Sequence, residues 1–458
     1  MSAASWIERR FGVRAHGSTP AREIGAGLAT VATLSYILFV QPAVLSDPAC
    51  GMDAGGVLFA TCVASALACF LMAWWANLPI ALAPAMGHNF FFVYSVCLLR
   101  GFRWQEALAA NLIAGGLFLV LAATPIRERV MHGLPGHLKH SIAAGIGLMI
   151  ALVGLEWGGL VVASPATLVQ LGDLSSPVAL LALVGLALNS VLLARRVVGA
   201  FLFGILGTAA CGLAAGKLFD LATPLVRFEG LVGPPPSPAA TAFALDFAGL
   251  LARPVAEVLA VIAVFLLLVL FDTVGTLIGV CDRAGLLVDG RLPQARGAFA
   301  ADAAGTVVGA ALGTSTITSY VESAAGVSAG GRTGLTAIVT GVCLLLALVF
   351  RPLFEVVGAG VPSAGGALCY PVIAPVLVLI GALMFGALRR IEWDEPTEAI
   401  PAFLTVIVMQ VSLSITEGIA WGFLSTSLLG LLAPRARRVP AWIHCLAAVF
   451  ALRYILSI

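Results

Sequence analysis

Apolar residues in this chain come in runs, not in alternation. Stretches such as Val258 to Leu270 are apolar on every side, which fits a helix surrounded by apolar material and not a strand with one wet face. Read between polar breaks, the runs predict spans near 23–42, 55–76, 80–99, 105–123, 138–157, 176–193 and 198–218. A second set lies near 255–280, 298–313, 314–331, 333–351, 367–388, 399–413 and 415–432. A hydrocarbon core of about 30 Å takes roughly 20 helical residues to cross, so these runs have the length of transmembrane segments. A lumen-lined barrel would alternate apolar and polar positions, so helices that satisfy their own backbone groups are implied. The expected fold is an all-α polytopic membrane protein of about fourteen transmembrane segments. The polar loop 221–254, with Pro234, Pro235, Pro236 and Pro238, separates the two sets of seven.

An odd number of spans in each set makes the second set enter from the opposite side, which is how an inverted repeat arises in transporters. Matching halves should break at matching places. The third span opens with Leu78-Pro79-Ile80-Ala81-Leu82-Ala83-Pro84-Ala85-Met86-Gly87, and the tenth with Gly313-Thr314-Ser315-Thr316-Ile317-Thr318-Ser319-Tyr320. Prolines and glycine interrupt the first, and β-branched and hydroxyl residues crowd the second, so both are expected to be half extended and half helical. Irregular backbone at membrane depth survives where protein or a cavity satisfies it, so paired breaks point to a central binding site.

Composition agrees: 60% of residues are hydrophobic and 10% charged, where an ordinary soluble chain is about a quarter charged. Most of the 25 Lys and Arg fall on one side of the predicted topology, among them Arg9, Arg10, Arg14, Arg127, Arg129, Lys139, Arg195, Arg196, Arg283, Arg291, Arg296, Arg389 and Arg390. The other side holds Arg100, Arg103, Lys217, Arg227, Arg253 and Arg351. Basic loops stay cytoplasmic, so the amino terminus, residues 1–22, is expected inside. With no cleavage site after a short apolar core, the first apolar segment is expected to remain in the protein. The cluster Arg435, Arg437 and Arg438 precedes a last segment, Ala441 to Ile458, that reads as an interfacial helix, with an extra crossing as the alternative. A net charge of +2 without basic runs interleaved by aromatics excludes nucleic acid as a partner. The nine scattered cysteines contain no C-x-x-C pair and read as small core residues, and no metal site or cofactor is expected.

A carboxylate inside a span costs roughly 3 kcal/mol on insertion scales, which makes each a candidate for function. Asp272 follows a long apolar stretch, Glu322 follows the extended piece of the tenth span, and Asp302 lies near the start of the ninth, where solvation at the membrane surface is the competing reading. Glu257, in the first turn of the eighth span, reads as solvated at the outer surface. Two buried acids facing a neutral heterocycle make chemical sense: an ionised carboxylate accepts ring N–H groups, and burial ties its protonation to occupancy. Amides at the half-helix amino termini would add donors. Asn89 is a candidate to bond a ring edge with both amide functions, with a helix cap as its alternative. His88 reads as a satisfied core histidine, or else as an influence on proton coupling. Tyr36, Phe39, Phe90 and Phe271 are candidates to stack on a flat ring, against ordinary packing. The expected substrate-binding set is Glu322, Asp272, Asn89, Ala85, Phe271, Tyr320, Val321 and Thr318, and the proton-coupling set Asp272, Glu322, Asp302 and His88.

These residues lie in recognisable passages. GTSTITSYVESAAGVSAGGRTG (Gly313–Gly334), FDTVGTLIG (Phe271–Gly279), NLPIALAPAMGHN (Asn77–Asn89) and ATLSYILFVQPAVLSD (Ala32–Asp47) resemble the nucleobase:cation symporter family that includes uracil and xanthine permeases. The likeness is specifically to its hypoxanthine/guanine/adenine permease branch. HSIAAGIGLMIALVGL (His140–Leu155) and TEAIPAFLTVIVM (Thr397–Met409) extend it over nearly the whole chain. The resemblance implies a core domain from spans one to four and eight to eleven (23–123 and 255–351) and a gate domain from the rest (138–220 and 365–432). It also implies substrate between the short strands of spans three and ten, elevator movement of core against gate, and a homodimer through the gate. By motif, Asp272 and Glu322 match the family's substrate-binding acids and Asn89 its third-span asparagine. Four positions depart from the branch: His88 and Phe90 on either side of the asparagine, Val269 where many members carry a second acid, and Gln41 where asparagine is common. They bear on which purine is preferred.

The function expected is proton-coupled import of hypoxanthine, guanine or adenine across the cell's inner (plasma) membrane. The alternative is a carrier of the same fold for another planar or anionic solute: xanthine, urate, uracil, or an inorganic or organic anion. An enzyme is not expected, since no nucleophile–base pair or H-E-x-x-H spacing occurs among the histidines, which include His132, His137 and His140. Nor is a channel, for want of a repeated filter loop or charged rings.

Overall fold

The computed structural model describes residues 3–48, 50–124, 135–165, 167–219, 224–226, 228, 230–287, 292, 294–358, 360–362, 368–433 and 439–456. The basic residues Arg127, Arg129, Arg227, Arg291, Arg435, Arg437 and Arg438, along with His132, lie outside that set. A short amphipathic helix, α1 (Ala3–Phe11), precedes the bundle. The first span is a broken pair, α2 (Pro20–Leu34) and α3 (Ile37–Leu45), with Pro42 inside the second piece. Then follow α4 (Ala54–Trp75), strand β1 (Leu82–Pro84) running into α5 (Met86–Phe90) and a π-helical continuation to Leu98, and α6 (Trp104–Ala123). Helix α7 (Gly136–Trp157) leads through a hairpin of β2 (Val161–Ser164) and β3 (Leu168–Leu171) to α8 (Pro177–Ala194) and α9 (Ala200–Leu218).

The second half repeats the order. After a short α10 (Phe247–Ala252) come α11 (Val255–Arg283), α12 (Ala295–Leu312), β4 (Ile317–Ser319) with α13 (Ser323–Ser328), and α14 (Gly334–Ala347). Beyond α15 (Arg351–Gly358) and the two-residue strands β5 (Val361–Pro362) and β6 (Leu368–Cys369) lie α16 (Ala374–Phe385), α17 (Pro396–Ser412), α18 (Ile415–Leu432) and α19 (Ala441–Leu456). Among the described residues, nine helices are long and apolar enough to cross a membrane by length and composition. The remaining crossings fall short for visible reasons. The third and tenth are half strand, α16 and α17 have 12 and 17 residues, and α12 carries Arg296 and Asp302 among small residues.

Helix contacts come in pairs related by an approximate two-fold. Helix α4 packs on α14 as α12 packs on α6; α2 packs on α14 as α6 does on α11; α8 lies on α9 as α17 does on α18. The helices of the first and second spans thus embrace those of the tenth and eleventh in one body, while α7, α8, α9, α16, α17 and α18 form another. On the two-fold itself, α7 crosses α16 at paired glycines: a Cβ at Gly381 would sit 2.3 Å from the Gly147 carbonyl, and one at Gly147 2.9 Å from that of Gly381. Lipid gives helices no hydrophobic reason to associate, so this backbone-to-backbone approach supplies the contact through close packing. The second break is set by Gly313, at φ 98°. A side chain there would meet Thr241 Cβ at 2.4 Å, so a glycine ends α12 and turns the chain into β4.

The segment from Ala441 forms helix α19, packed antiparallel along α18. His444 Nδ1 meets Ser427 Oγ at 2.8 Å, and in its last turn Arg453 and Tyr454 bond Glu417 in the first turn of α18. The helix therefore follows α18 from one end to the other. Pairing with Glu417 satisfies the charge of Arg453, and the rest of the segment is apolar enough to lie at membrane depth.

Candidate functional site

Strands β1 and β4 meet antiparallel in the middle of the bundle, Leu82 opposite Ser319, Ala83 opposite Thr318 and Pro84 opposite Ile317. Three residues give each strand little ladder to share, so neighbours complete it. Tyr320 N–H donates to the Ala81 carbonyl and Ala85 N–H to that of Thr316, while the Tyr320 hydroxyl donates to the Pro84 carbonyl. Thr306 of α12 donates to Ile317 O at 2.8 Å, and Thr316 to Asn111 Oδ1 of α6 at 2.6 Å. The hydroxyl-rich run Thr314–Ser319 is wholly buried; its side chains bind the break and do not face lipid.

The acids gather here. The Tyr36 hydroxyl, at the junction of α2 and α3, donates to Glu322 Oε1 at 2.7 Å, and Phe201 of α9 stands edge-on to the Tyr36 ring, centroids 5.4 Å apart. Asp272 on α11 makes no hydrogen bond to another described residue and is exposed, and its carboxylate lies within electrostatic reach of both Asp302 and Glu322. Its neighbour Thr273 meets Thr318 Oγ1 at 3.1 Å, fastening α11 to β4. Asp302 is fully buried, which excludes the solvated reading: Oδ2 accepts from Ser319 N–H at 3.2 Å and Oγ at 2.9 Å, and Oδ1 has no hydrogen-bond partner among the described residues.

Several expected contacts fall elsewhere. Asn89 does not offer its amide to a ligand: Nδ2 donates to Gln41 Oε1, Oδ1 accepts from Ser315, and the residue is fully buried. Gln41 Nε2 in turn donates to Thr314 and Ser315 at 2.9 and 3.1 Å, and Thr61 joins through Thr314. This network ties α3, α4, α5 and the start of the tenth span behind the strands. Its members Gln41, Thr61, Thr314 and Ser315 were not among the expected site residues; the density of hydroxyls in one apolar span was the signal for them. Phe39 and Phe90 are spent on packing, against Phe354 at 4.7 Å and Tyr94 at 5.6 Å. The His88 ring is buried, bonded to the Phe265 backbone on α11, and its Nε2 has no hydrogen-bond partner among the described residues. Thr318, Tyr320 and Ala85 are buried in the strand junction, whereas Phe271 is half-buried and Val321 59% exposed.

Exposure continues from Asp272 along one face of α11, through Gly275, Ile278, Gly279 and Asp282. That face looks toward α7: a Cβ at Gly275 would lie 3.7 Å from Lys139 Cε. Asp272 therefore opens into a crevice between the two helical bodies toward one end of the bundle, with Glu322 half-buried and Asp302 closed off. At the other end the bodies touch, Arg100 with Glu417 at 3.8 Å and Ile415 N–H with Ser95 Oγ at 3.3 Å. Among the described residues no group of three or more His, Cys, Asp or Glu is arranged to hold a metal ion.

Crossed half-strands, duplicated helix contacts and a one-sided crevice between two bodies define a membrane transporter with a core and a gate. The chain belongs to the Permease family of the xanthine/uracil type, whose model matches residues 21–421. It is 40% identical to the adenine permease AdeQ of Escherichia coli (strain K12) over 98% of this chain and 96% of that protein. It is also 40% identical to the guanine/hypoxanthine permease PbuG of Bacillus subtilis (strain 168), over 96% of this chain and 97% of that one. Among solved structures, the transmembrane domain of the cyanobacterial bicarbonate transporter BicA superposes with a TM-score of 0.62 at 16% identity, covering 88% of this chain and 97% of that chain. SLC26A9 follows at 0.60 and 12%, covering 91% and 66%. These two establish the fold alone.

Proposed function

We propose that this protein is a secondary active transporter that imports purine nucleobases, namely hypoxanthine, guanine or adenine, by proton symport, its core carrying the site past the gate as an elevator. The observation that carries the reading is Glu322, oriented by Tyr36 beside the paired strands, within electrostatic reach of an Asp272 that makes no hydrogen bond among the described residues. Both lie next to a crevice that separates the two bodies. A purine presents ring N–H groups to such acceptors, and full-length relatives at 40% identity are adenine and guanine/hypoxanthine permeases. Unpaired carboxylates weigh against the anion alternative, since they would repel the substrate. By the distribution of Lys and Arg, the crevice end is cytoplasmic; location in the inner (plasma) membrane and a homodimer through the gate complete the proposal.

The test is uptake of radiolabelled adenine, guanine and hypoxanthine, together with a thermal-shift panel that adds xanthine, urate and uracil, because a ligand that binds the folded state raises the melting midpoint. The expected result is a shift and saturable uptake for at least one of the three purines. Shifts confined to xanthine, urate, uracil or anions would overturn the substrate class.

A further inference from the structure

The end opposite the crevice holds a cluster of charges that the site does not use. Arg100 closes the third span in the core, and its side chain is 12% exposed. Glu417 faces it from the gate at 3.8 Å, and Glu417 is itself bonded by Arg453 and the Tyr454 hydroxyl of α19. Glu257 of α11 is the other acid within electrostatic reach of Arg100, and Arg453 the other cation. One turn before Arg100, Ser95 accepts the N–H of Ile415, the first residue of α18. Two bonds of different chemistry thus join the same two bodies at the same place.

We propose that Arg100 and Glu417 form an ionic latch that shuts this end while the crevice is open at the other, and that α19 sets its strength by holding Glu417 in position through Arg453 and Tyr454. The inference rests on core moving against gate, as proposed above, and not on which solute is carried. Its physical basis is distance. A displacement of the core by a single helical turn, about 5.4 Å, exceeds the 3.8 Å contact, so the latch cannot survive passage to the opposite-facing state. Each departure leaves a partly desolvated arginine without its nearest acid, which opposes opening. The Arg453–Tyr454 pair keeps the Glu417 carboxylate aimed, so the last helix acts on the equilibrium without touching the site.

Hydrogen–deuterium exchange on the purified full-length protein reads this directly, because the Ile415 amide donates across the contact. Glu417→Gln, Arg100→Gln and Arg453→Gln are each expected to speed exchange in the peptide containing residues 413–418 by about fivefold or more. Tyr454→Phe should do so to a smaller extent, with the melting midpoint nearly unchanged. The double variant Arg100→Gln/Glu417→Gln should match either single one. If Arg453→Gln accelerates exchange only within residues 441–456, α19 merely packs and the latch assignment fails. Unchanged exchange at 413–418 in Arg100→Gln would equally overturn it. Neither readout uses substrate, so loss of the purine assignment would show separately, in the uptake panel.

Discussion

The Tyr36 hydroxyl reaches Glu322 Oε1 at 2.7 Å across 286 residues of sequence, from the break in the first span to the start of the half-helix in the tenth. One donor thereby fixes a carboxylate that its own short helix, six residues long, would hold loosely. Hydrogen bonds to charged groups contribute about 1.5–3 kcal/mol. Tyr36→Phe should therefore raise the KM for the transported purine by roughly 10- to 100-fold while surface expression stays normal. Saturation kinetics in cells lacking other purine carriers check this.

Glu322→Gln should abolish purine uptake at normal expression, since the amide replaces an acceptor with a donor where ring N–H groups would approach. Wild-type uptake by this variant would remove Glu322 from the site.

Asp272 makes no hydrogen bond among the described residues, so Asp272→Asn should fold and still bind ligand in a thermal-shift assay. Transport is expected to be lost or freed from its dependence on external pH. A pH–uptake profile superimposable on wild type would exclude Asp272 from coupling.

The buried network gives a stability prediction. Asn89→Ala takes the donor from Gln41 Oε1 and the acceptor from the Ser315 hydroxyl proton, although Ser315 Oγ still accepts from Gln41 Nε2, and stranding buried polar groups costs about 1–3 kcal/mol. The melting midpoint should fall accordingly. Gln41→Ala in the same chain should add less than its own single effect, because the two side chains share one network.

Gly381→Ala tests the gate's two-fold contact. Its new methyl would sit against the Gly147 carbonyl, and overpacking of this kind costs about 1–3 kcal/mol. A reduced yield of folded protein and a lower melting midpoint are expected, with KM little changed in the protein that remains.

Hydropathy made the spans legible because a membrane demands long uninterrupted apolar helices, and helix bounds such as Ile415–Leu432 follow the apolar run closely. The two breaks were legible for the opposite reason, since prolines and a glycine interrupt the apolar run of the third span and β-branched and hydroxyl residues crowd that of the tenth. Side-chain direction was not. Asn89 stands one residue from His88 in an apolar setting, and sequence spacing says that both are buried without saying which groups they meet. Partners supplied by segments far away in the chain decide this, Gln41 and Ser315 for one and the Phe265 carbonyl for the other. The docking of the terminal helix on α18 was not legible either: its acid partner, Glu417, lies on a different segment and carries no mark of the pairing.

That helix also decides where the two ends of the chain emerge. The Phe11 carbonyl is bonded by Asn77, at the start of the third span, whereas Tyr454 lies by way of Glu417 near Arg100, where the same span finishes. Phe11 and Tyr454 thus sit by opposite ends of one span, so labels placed at these two residues are expected to differ in their reach by reagents that cannot permeate the bilayer.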